Sequence, residues 1–596
     1  MKYLICLFSL LLSLSAADHI AVYHLSDVTG EVLPEPGLAD LMAKKQVQKL
    51  YYFNFLSCLN HCAKRDDLKA VIIYPENHRL GMAQRQEISR RLREIQAAGK
   101  KVFVYAHSLD NSTLPLALNS TTVLFPSGQV IFNGISIEQL YFKGLLDKVG
   151  MSADFIHIGD FKSAGEPFYL TGPSEASKQQ QQKLYQGIFD EVLELTQMGL
   201  RHKNQSNINR EKTLKLTEQA LFNTEEALKH GLVDKLAFHN DFVKQLKKSF
   251  PAAKFTRNYG LSKASKPPKI TNMMEAMAYF QKLTAPKKPK TGPAIDLVIL
   301  EGNIQQQMAE QLRVHILKAA KNPQIKAMVL RINSPGGSAL ASEVICQATD
   351  VFRKTGKPLV VSMGNVAASG GYYSAVYGQP IFAEPSTITG SIGVIGGKMV
   401  IRDLKEKIGI STHSMNFGDF SNVFSTHTKF SEAQRALVKK SMLEVYALFK
   451  KRVVEGRGNK ISDDFEAIAG GRVYTGRQAL KIGLVDELGG LREAINSAKS
   501  QAKLKKYRME IFPRQLSLQE MIMDALKEKE DKEEDYLYAG PSSKAPSLLK
   551  NPLIQQGIAA LQVTEPSTAQ ATLEFLEQLQ LLQNNNILLL HPGLKH

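Results

Sequence analysis

Cysteine is scarce in this chain, and its scarcity limits what could hold the fold together. The 596 residues include only Cys6, Cys58, Cys62 and Cys346, and Cys6 lies in a segment that an export signal would take with it. Cys58 and Cys62 stand in the stretch CLNHC within a predicted helix, a spacing typical of two buried thiols. His61 between them would add a metal ligand, but the stretch lacks the remaining partners that a metal site needs. We therefore expect neither a disulfide framework nor a metal.

The chain also lacks a long apolar run. The run from about Tyr3 to Leu14 is well short of the roughly 20 residues that a membrane-spanning helix needs. Lys2 precedes it, and the small residues Ser15 and Ala17 follow it as in a cleavage site. Residues 1–17 are therefore predicted to be a signal peptide or a short membrane anchor, and we expect a periplasmic protein associated with the inner membrane. No other segment is predicted to cross a membrane.

Acidic residues are too few to balance the basic ones. Lysine and arginine number 75 against 57 aspartates and glutamates, a net charge of +18. Such an excess suits either a nucleic acid or an anionic membrane surface. The charge is dispersed, and no motif that interleaves aromatic and basic residues is present, so we expect no nucleic-acid partner. A membrane surface is the favoured partner.

What the chain does contain is a duplication. The segments LKAVII (68–73) and IKAMVL (325–330) resemble each other, as do FPSGQVIFNGI (125–135) and EPSTITGSIGV (384–394). Further along, ALKHGLVDKL (227–236) matches ALKIGLVDEL (479–488) in the same order and at a nearly constant offset. Matches in the same order along the chain indicate two copies of one fold.

Each copy alternates predicted strands and helices. In the second copy, an apolar run at 295–300 and another at 327–332 precede a helix predicted over 339–354 and a strand over 358–362. This alternation predicts an α/β fold with parallel sheets packed by helices. The predicted organisation comprises an N-terminal repeat (18–255), a linker with a short helix (256–292), a C-terminal repeat (293–507) and a tail of uncertain structure (508–596).

The second copy carries the candidate catalytic groups. Gly336 and Gly337 follow a predicted strand and lead into a helix, where bare backbone N–H groups can stabilise an anionic oxygen. Ser391, between Gly390 and Ile392, is the candidate nucleophile, because the first copy has Phe132 at the matching place. Ser369 in AASGG is its rival. Either serine could instead cap a helix or line a turn.

A lysine in the first copy supplies the missing base. The stretch GDFKSAGEPF carries Lys162, whereas its counterpart FGDFSNVF in the second copy has Ser421 there. A lysine can act as a base near neutral pH only when burial lowers its pKa from about 10.4 toward about 7 to 8. Each copy holds what the other lacks, so Lys162 and Ser391 are predicted to form one catalytic dyad.

The motifs SPGGS, AASGGYY, STITGSIGV and GDFKSAGEPF together resemble those of the bacterial signal peptide peptidase A (protease IV) family in its long duplicated form. The resemblance runs from about residue 20 to 500. It implies two tandem Clp-like or crotonase-like repeats, a Ser/Lys dyad of Ser391 and Lys162, and an oxyanion hole at Gly336 and Gly337. It also implies a membrane-associated homotetramer that degrades signal peptides without any cofactor. Clp-type proteases, built on a related repeat, carry their serine at the place of Ser369.

Two other functions remain open from the sequence. A crotonase-type acyl-CoA enzyme also uses a glycine-rich oxyanion hole, although exported proteins do not normally meet CoA. An inactive scaffold on a protease fold is the other alternative, and an intact dyad argues against it. The predicted activity is a serine endopeptidase acting on signal peptides and other apolar peptides.

Overall fold

The computed structural model describes residues 18–31, 50–203, 205–261, 274, 291–462, 464–513 and 587–590. The chain forms two compact units. The first comprises Met1–Ile135 and Phe189–Tyr279, and the second comprises Ser136–Ile188 and Phe280–His596. The predicted signal or anchor at 1–17 lies outside the described residues, as does most of the predicted linker helix.

The strands of the described residues follow in chain order. They are β1 (His19–His24), β2 (Leu68–Tyr74), β3 (Lys101–Leu109), β4 (Thr121–Phe132), β5 (Ser152–Ile158), β6 (Ala220–Phe222), β7 (Lys235–Leu236), β8 (Lys254–Arg257), β9 (Ala294–Glu301), β10 (Ile325–Ser334), β11 (Gly336–Ser338), β12 (Leu359–Ala368), β13 (Ile381–Ala383), β14 (Ile388–Gly390), β15 (Val394–Val400), β16 (Val473–Thr475), β17 (Glu487–Leu488), β18 (Arg508–Phe512) and β19 (Ile587–Leu590).

The α-helices of the same residues are numbered separately. They are α1 (Tyr52–Lys64), α2 (Met82–Ala97), α3 (Leu114–Ala117), α4 (Lys143–Val149), α5 (Glu166–Tyr169), α6 (Glu175–His202), α7 (Arg210–Gln219), α8 (Thr224–Lys229), α9 (His239–Ser249), α10 (Gln306–Lys321), α11 (Ala339–Lys354), α12 (Gly370–Ala375), α13 (Arg402–Lys407), α14 (Glu432–Arg457), α15 (Phe465–Ile468), α16 (Gly476–Lys481) and α17 (Leu491–Gln501).

Both units contain a mainly parallel sheet with the same strand order. In the first unit the order is β6-β4-β3-β2-β1-β8, with β7 beside β4. In the second it is β16-β14-β12-β10-β9-β18, with β13 beside β12 and β17 beside β13. Each sheet ends in one antiparallel edge strand, β6 in the first unit and β16 in the second. The matching order confirms the α/β prediction and is what a duplicated domain would produce.

The central strands are hydrophobic along most of their length because both faces of the sheet are covered. In β9, every residue from Ala294 to Leu300 is buried, and β10 is buried at most positions. Near-continuous apolar runs of this kind are typical of parallel strands. Helix α11 occupies the predicted 339–354, and its apolar face joins the core of the second unit.

A smaller sheet in the second unit has the order β11-β19-β15-β5. Strand β5 comes from the first sequence copy and pairs with β15 of the second along its full length, from Ile158 opposite Val394 to Ser152 opposite Val400. This pairing groups residues 136–188 with the second compact unit. The predicted repeat boundaries stay predictions, because the repeats were defined by sequence similarity whereas the compact units are defined by which residues lie close together in the fold.

Two further expectations concern buried thiols and membrane spans. Cys58 and Cys62 lie buried in α1 with free thiols, as predicted, and burial raises the pKa of each thiol to about 12. Among the described residues, no helix is both long and apolar enough to cross a bilayer. The predicted tail contributes two strands, β18 and β19, to the sheets of the second unit.

Candidate active site

The two candidate serines lie side by side at the ends of neighbouring parallel strands. Strand β12 ends at Ala368 and β14 ends at Gly390, and these two residues are register partners. Ser369 and Ser391 are therefore the next residues on adjacent strands, at the same edge of the sheet. The Ser369 N–H donates to the Gly390 carbonyl at 2.7 Å, which ties the two turns together. Both serines are fully buried.

Lys162 reaches this edge from the loop after β5. Gly159 ends the strand with φ of 101°, a conformation that favours glycine. A Cβ there would lie 2.5 Å from the Gly470 carbonyl group, so the loop passes directly over that backbone. The Phe161 N–H donates to the Gly470 carbonyl at 2.9 Å. Gly159 and Phe161 of the GDF stretch thus hold the backbone on either side of Asp160 against Gly470, and this contact positions Lys162. In the second copy, Ser421 occupies the matching place on an exposed stretch.

The Lys162 ammonium nitrogen lies within hydrogen-bond distance of both serines. Its Nζ is 2.7 Å from Ser369 Oγ and 2.9 Å from Ser391 Oγ. A third contact, of 3.1 Å, joins Nζ to the backbone carbonyl of Ser391. The prediction that Lys162 and Ser391 come together matches this geometry, and the rival Ser369 belongs to the same cluster.

Burial makes Lys162 a candidate base. Its side chain is 1% exposed, and desolvation lowers its pKa well below the ordinary lysine value. Removing an ammonium ion from water disfavours the charged form, so the amine is held closer to neutrality. A neutral amine offers one lone pair to accept a proton and two N–H groups to donate. The site can therefore take a proton from a hydroxyl group without a histidine.

The glycine loop lies against Ser369. Gly336 and Gly337 have φ values of 111° and 156°. The Gly336 carbonyl and the Ser338 N–H both bond to the backbone of Ile304. Because strand residues alternate sides, the Gly337 N–H faces the opposite way, toward the smaller sheet. The Gly336 N–H is 3.2 Å from Ser334 Oγ. Of the two predicted oxyanion donors, Gly337 is therefore the better placed.

The position of this loop distinguishes the two serines. A Cβ on Gly370, the residue after Ser369, would lie 3.3 Å from both Gly336 Cα and Gly337 N. The glycines flanking Ser391 have other nearest neighbours: Gly390 faces Arg472 and Tyr474, and Gly393 faces Gly471 and Ile158. The glycine loop predicted to bind the oxyanion thus adjoins the Ser369 turn.

The contact distances around Lys162 Nζ also favour Ser369. The Ser391 carbonyl can only accept, so it takes one of the two N–H groups of a neutral Lys162. One N–H and the lone pair remain for the two hydroxyls, and Ser369 Oγ lies closer to Nζ than Ser391 Oγ does. Ser369 has φ of 55° and Ser391 has φ of 54°, so both serines lie in strained turns. Only the Ser369 turn leads from a strand directly into a helix, and among the described residues the Ser369 hydroxyl makes no helix-capping bond. Strained turns of this kind present nucleophiles in other hydrolases.

A third loop, which the sequence analysis missed, bonds to the Ser391 turn and packs against the Lys162 loop. The Ser391 N–H donates to the Arg472 carbonyl at 2.6 Å, and the Gly471 N–H donates to the Ile392 carbonyl at 2.8 Å. A Cβ on Gly471 would lie 2.5 Å from Lys162 N. The Arg472 guanidinium lies 3.5 Å from the ring centre of Phe161. The only sequence signal for this loop was the Gly-Gly pair in AGGR, just before β16.

Comparison with known proteins gives a consistent family match. The sequence model of peptidase family S49 matches residues 94–252 and again 351–505, one match in each sequence copy. The model described as Clp protease matches residues 295–386.

Three curated relatives cover most of this chain. Protease 4 of Salmonella typhi is 31% identical over 454 residues, which cover 74% of this chain and 70% of that protein. The chloroplastic serine protease SPPA of Arabidopsis thaliana is 28% identical, over 71% of this chain and 62% of its own. Protease 4 of Haemophilus influenzae is 30% identical, over 67% and 65% respectively.

Proposed function

This chain belongs to peptidase family S49, in a long duplicated form, and is a protease; we propose that it is a serine endopeptidase with Ser369 as nucleophile and Lys162 as general base. The observation that carries this proposal is the contact of Lys162 Nζ with Ser369 Oγ at 2.7 Å, beside the Gly337 turn. The geometry thus favours Ser369 over Ser391, the nucleophile expected from sequence. Ser391 becomes a positioning residue that holds the lysine through its hydroxyl and its carbonyl.

The proposed reaction proceeds through an acyl-enzyme. Neutral Lys162 takes the hydroxyl proton as Ser369 Oγ attacks the scissile carbonyl, and the Gly337 N–H stabilises the resulting oxyanion. Lys162 then gives that proton to the leaving amine as the C–N bond breaks. A water molecule, deprotonated by the same lysine, attacks the ester and releases the new carboxyl end.

We propose apolar peptides as substrates, with cleaved signal peptides as the chief class. Apart from Lys398, the residues from Ile392 to Val400 are small or apolar, and every residue of β15 is buried. Such a wall suits small and apolar side chains in an extended peptide. The N-terminal export pattern and the net charge of +18 support a place on the periplasmic side of the inner membrane, at an anionic surface. The tetramer that the family resemblance implies belongs to this proposal.

A fluorophosphonate probe tests the proposed chemistry. The probe forms a covalent bond to an activated serine, so the intact chain should be labelled once, at Ser369. Lys162→Met should prevent labelling because it removes the base. Ser374→Ala is the matched control: Ser374 is a buried serine of α12 whose hydroxyl bonds the Gly370 carbonyl. An acyl-CoA enzyme or an inactive scaffold would remain unlabelled, and that outcome would overturn the proposal.

A further inference from the structure

The C-terminal tail supplies a strand to the smaller sheet beside the catalytic groups. Strand β19 pairs antiparallel with β11 on one side and with β15 on the other. β11 is the glycine loop that carries Gly337, and β15 begins three residues after Ser391. The tail segment therefore fills the interval between the oxyanion donor and the strand leading away from the site.

The direction of β19 is that of a substrate's acyl side. Ile587 is opposite Gly396 and Leu588 is opposite Ile395, so the strand runs toward Ser391 as its numbering increases. On the other side Leu589 is opposite Gly337 and Leu590 is opposite Gly336. A peptide to be cleaved would pair with the same two edges, with its acyl residues along β15 and its scissile carbonyl at Gly337.

The composition of the segment fits the same groove. Residues 587–590 read ILLL, four apolar residues without charge, after three asparagines. The wall formed by β15 is buried and, apart from Lys398, small or apolar. The tail segment is thus apolar, as are the peptides proposed as substrates of this site.

We propose that residues 587–590 are a built-in competitive inhibitor, which occupies the acyl-side groove and must leave before a peptide can pair with β11 and β15. The inhibition of peptide hydrolysis rests on the proposed function. The position of β19 between β11 and β15 does not depend on it. The inhibitor belongs to the same chain, so its local concentration is fixed by the tether and not by the protein concentration.

Occupancy is tested without catalysis, by hydrogen exchange on the full chain and on a chain ending at Asn586. If β19 pairs as observed, the shorter chain should exchange the Gly337 amide and the β15 amides that face β19 about tenfold faster or more. Amides of β9, in the core of the larger sheet, are the internal control. Equal protection of β11 and β15 in both chains would overturn the proposal, whether or not the protein hydrolyses peptides.

Inhibition is tested by kinetics on an apolar fluorogenic peptide. Removing the strand should lower the apparent KM by about tenfold with kcat unchanged, because a tethered competitor acts at an effective concentration near the millimolar range. Leu589→Pro should reproduce this change, since proline lacks the N–H that strand pairing needs. Leu589→Ile keeps the N–H and should behave as the native chain. An unchanged KM despite lost protection would refute the inhibitory role.

The tether predicts one more property. Self-inhibition within a chain should be independent of protein concentration, and a synthetic peptide of residues 584–596 should inhibit the shortened chain competitively. Inhibition that grows with protein concentration would show that the strand comes from a second copy, and would overturn the assignment to the same chain.

Discussion

Replacing each serine by alanine should have effects of very different size. Ser369→Ala removes the oxygen that Lys162 Nζ contacts at 2.7 Å, which is the proposed nucleophile. Loss of a catalytic serine costs on the order of 10⁶ in kcat where it has been measured, so no hydrolysis above background is expected. Ser391→Ala removes a hydroxyl 2.9 Å from Nζ but keeps the backbone carbonyl at 3.1 Å. Loss of one such hydrogen bond costs about 1 to 2 kcal/mol, or about 5- to 30-fold in rate.

The assay combines kcat and KM on an apolar peptide with mapping of the fluorophosphonate adduct. Ser391→Ala should lower kcat and leave KM unchanged, since Ser391 acts on the lysine and not on the bound peptide. Ser391→Thr restores a hydroxyl group and should recover most of the rate. A shifted acid limb of the kcat profile in Ser391→Ala would further mark a positioning role. Far-ultraviolet circular dichroism checks that each variant folds.

One result would refute this reasoning. If Ser391→Ala were inactive and unlabelled while Ser369→Ala kept both activity and the adduct, the nucleophile would be Ser391, as expected from sequence. The two serines would then exchange roles around the same lysine.

Three further outcomes are expected. Lys162→Met should abolish hydrolysis, and native kcat should rise with pH through the lowered pKa of Lys162, because only the neutral amine is a base; a flat profile would contradict this. Because this pKa is lower in the folded chain than in the unfolded chain, the unfolded chain binds more protons at pH values between the two. The free energy of unfolding of the native protein should therefore fall, relative to that of Lys162→Met, as pH drops from the ordinary lysine pKa to the folded-state pKa. Urea midpoints measure this difference. Gly471→Ala should cut kcat about 100-fold by displacing Lys162, whereas Gly470→Ala has similar backbone strain but open space and should cost far less; equal losses would make the contact of Gly471 with Lys162 irrelevant.

Much of the fold could be predicted because the duplicated sequence repeats its hydrophobic pattern. The helix predicted over 339–354 has those bounds in the structure, and the apolar runs at 295–300 and 327–332 lie within β9 and β10. In long, strongly apolar strands and amphipathic helices, the hydrophobic pattern determines which residues are buried, so such elements are readily predicted. The meeting of Lys162 with Ser391 could also be predicted, from the complementarity of the two copies.

The geometry that favours Ser369 over Ser391 could not be predicted in the same way. It depends on the register that places Ala368 opposite Gly390, and on the Gly337 turn lying against Gly370. Both are tertiary relations between segments about 20 to 30 residues apart, which no local pattern encodes. The contact at Gly471 and the tail strand β19 escaped for the same reason, since a Gly-Gly pair and a leucine run are uninformative until their partners are known.

The first unit shows why one duplicated frame yields one site. There β4 pairs with β6 so that Phe132 is opposite Ala220, three residues before the capping Asn223 of α8. In the second unit Ser391 bonds Arg472, three residues before the capping Thr475 of α16. The two positions are thus equivalent in structure, and a buried phenylalanine replaces the serine that would hold a lysine. An amine placed there would have no hydroxyl partner at that position and would carry the full cost of burial. The lysine is kept in the copy whose strand β5 pairs with β15, and the two serines are kept in the other copy. Lys162 is therefore buried where its Nζ contacts two hydroxyls and one carbonyl.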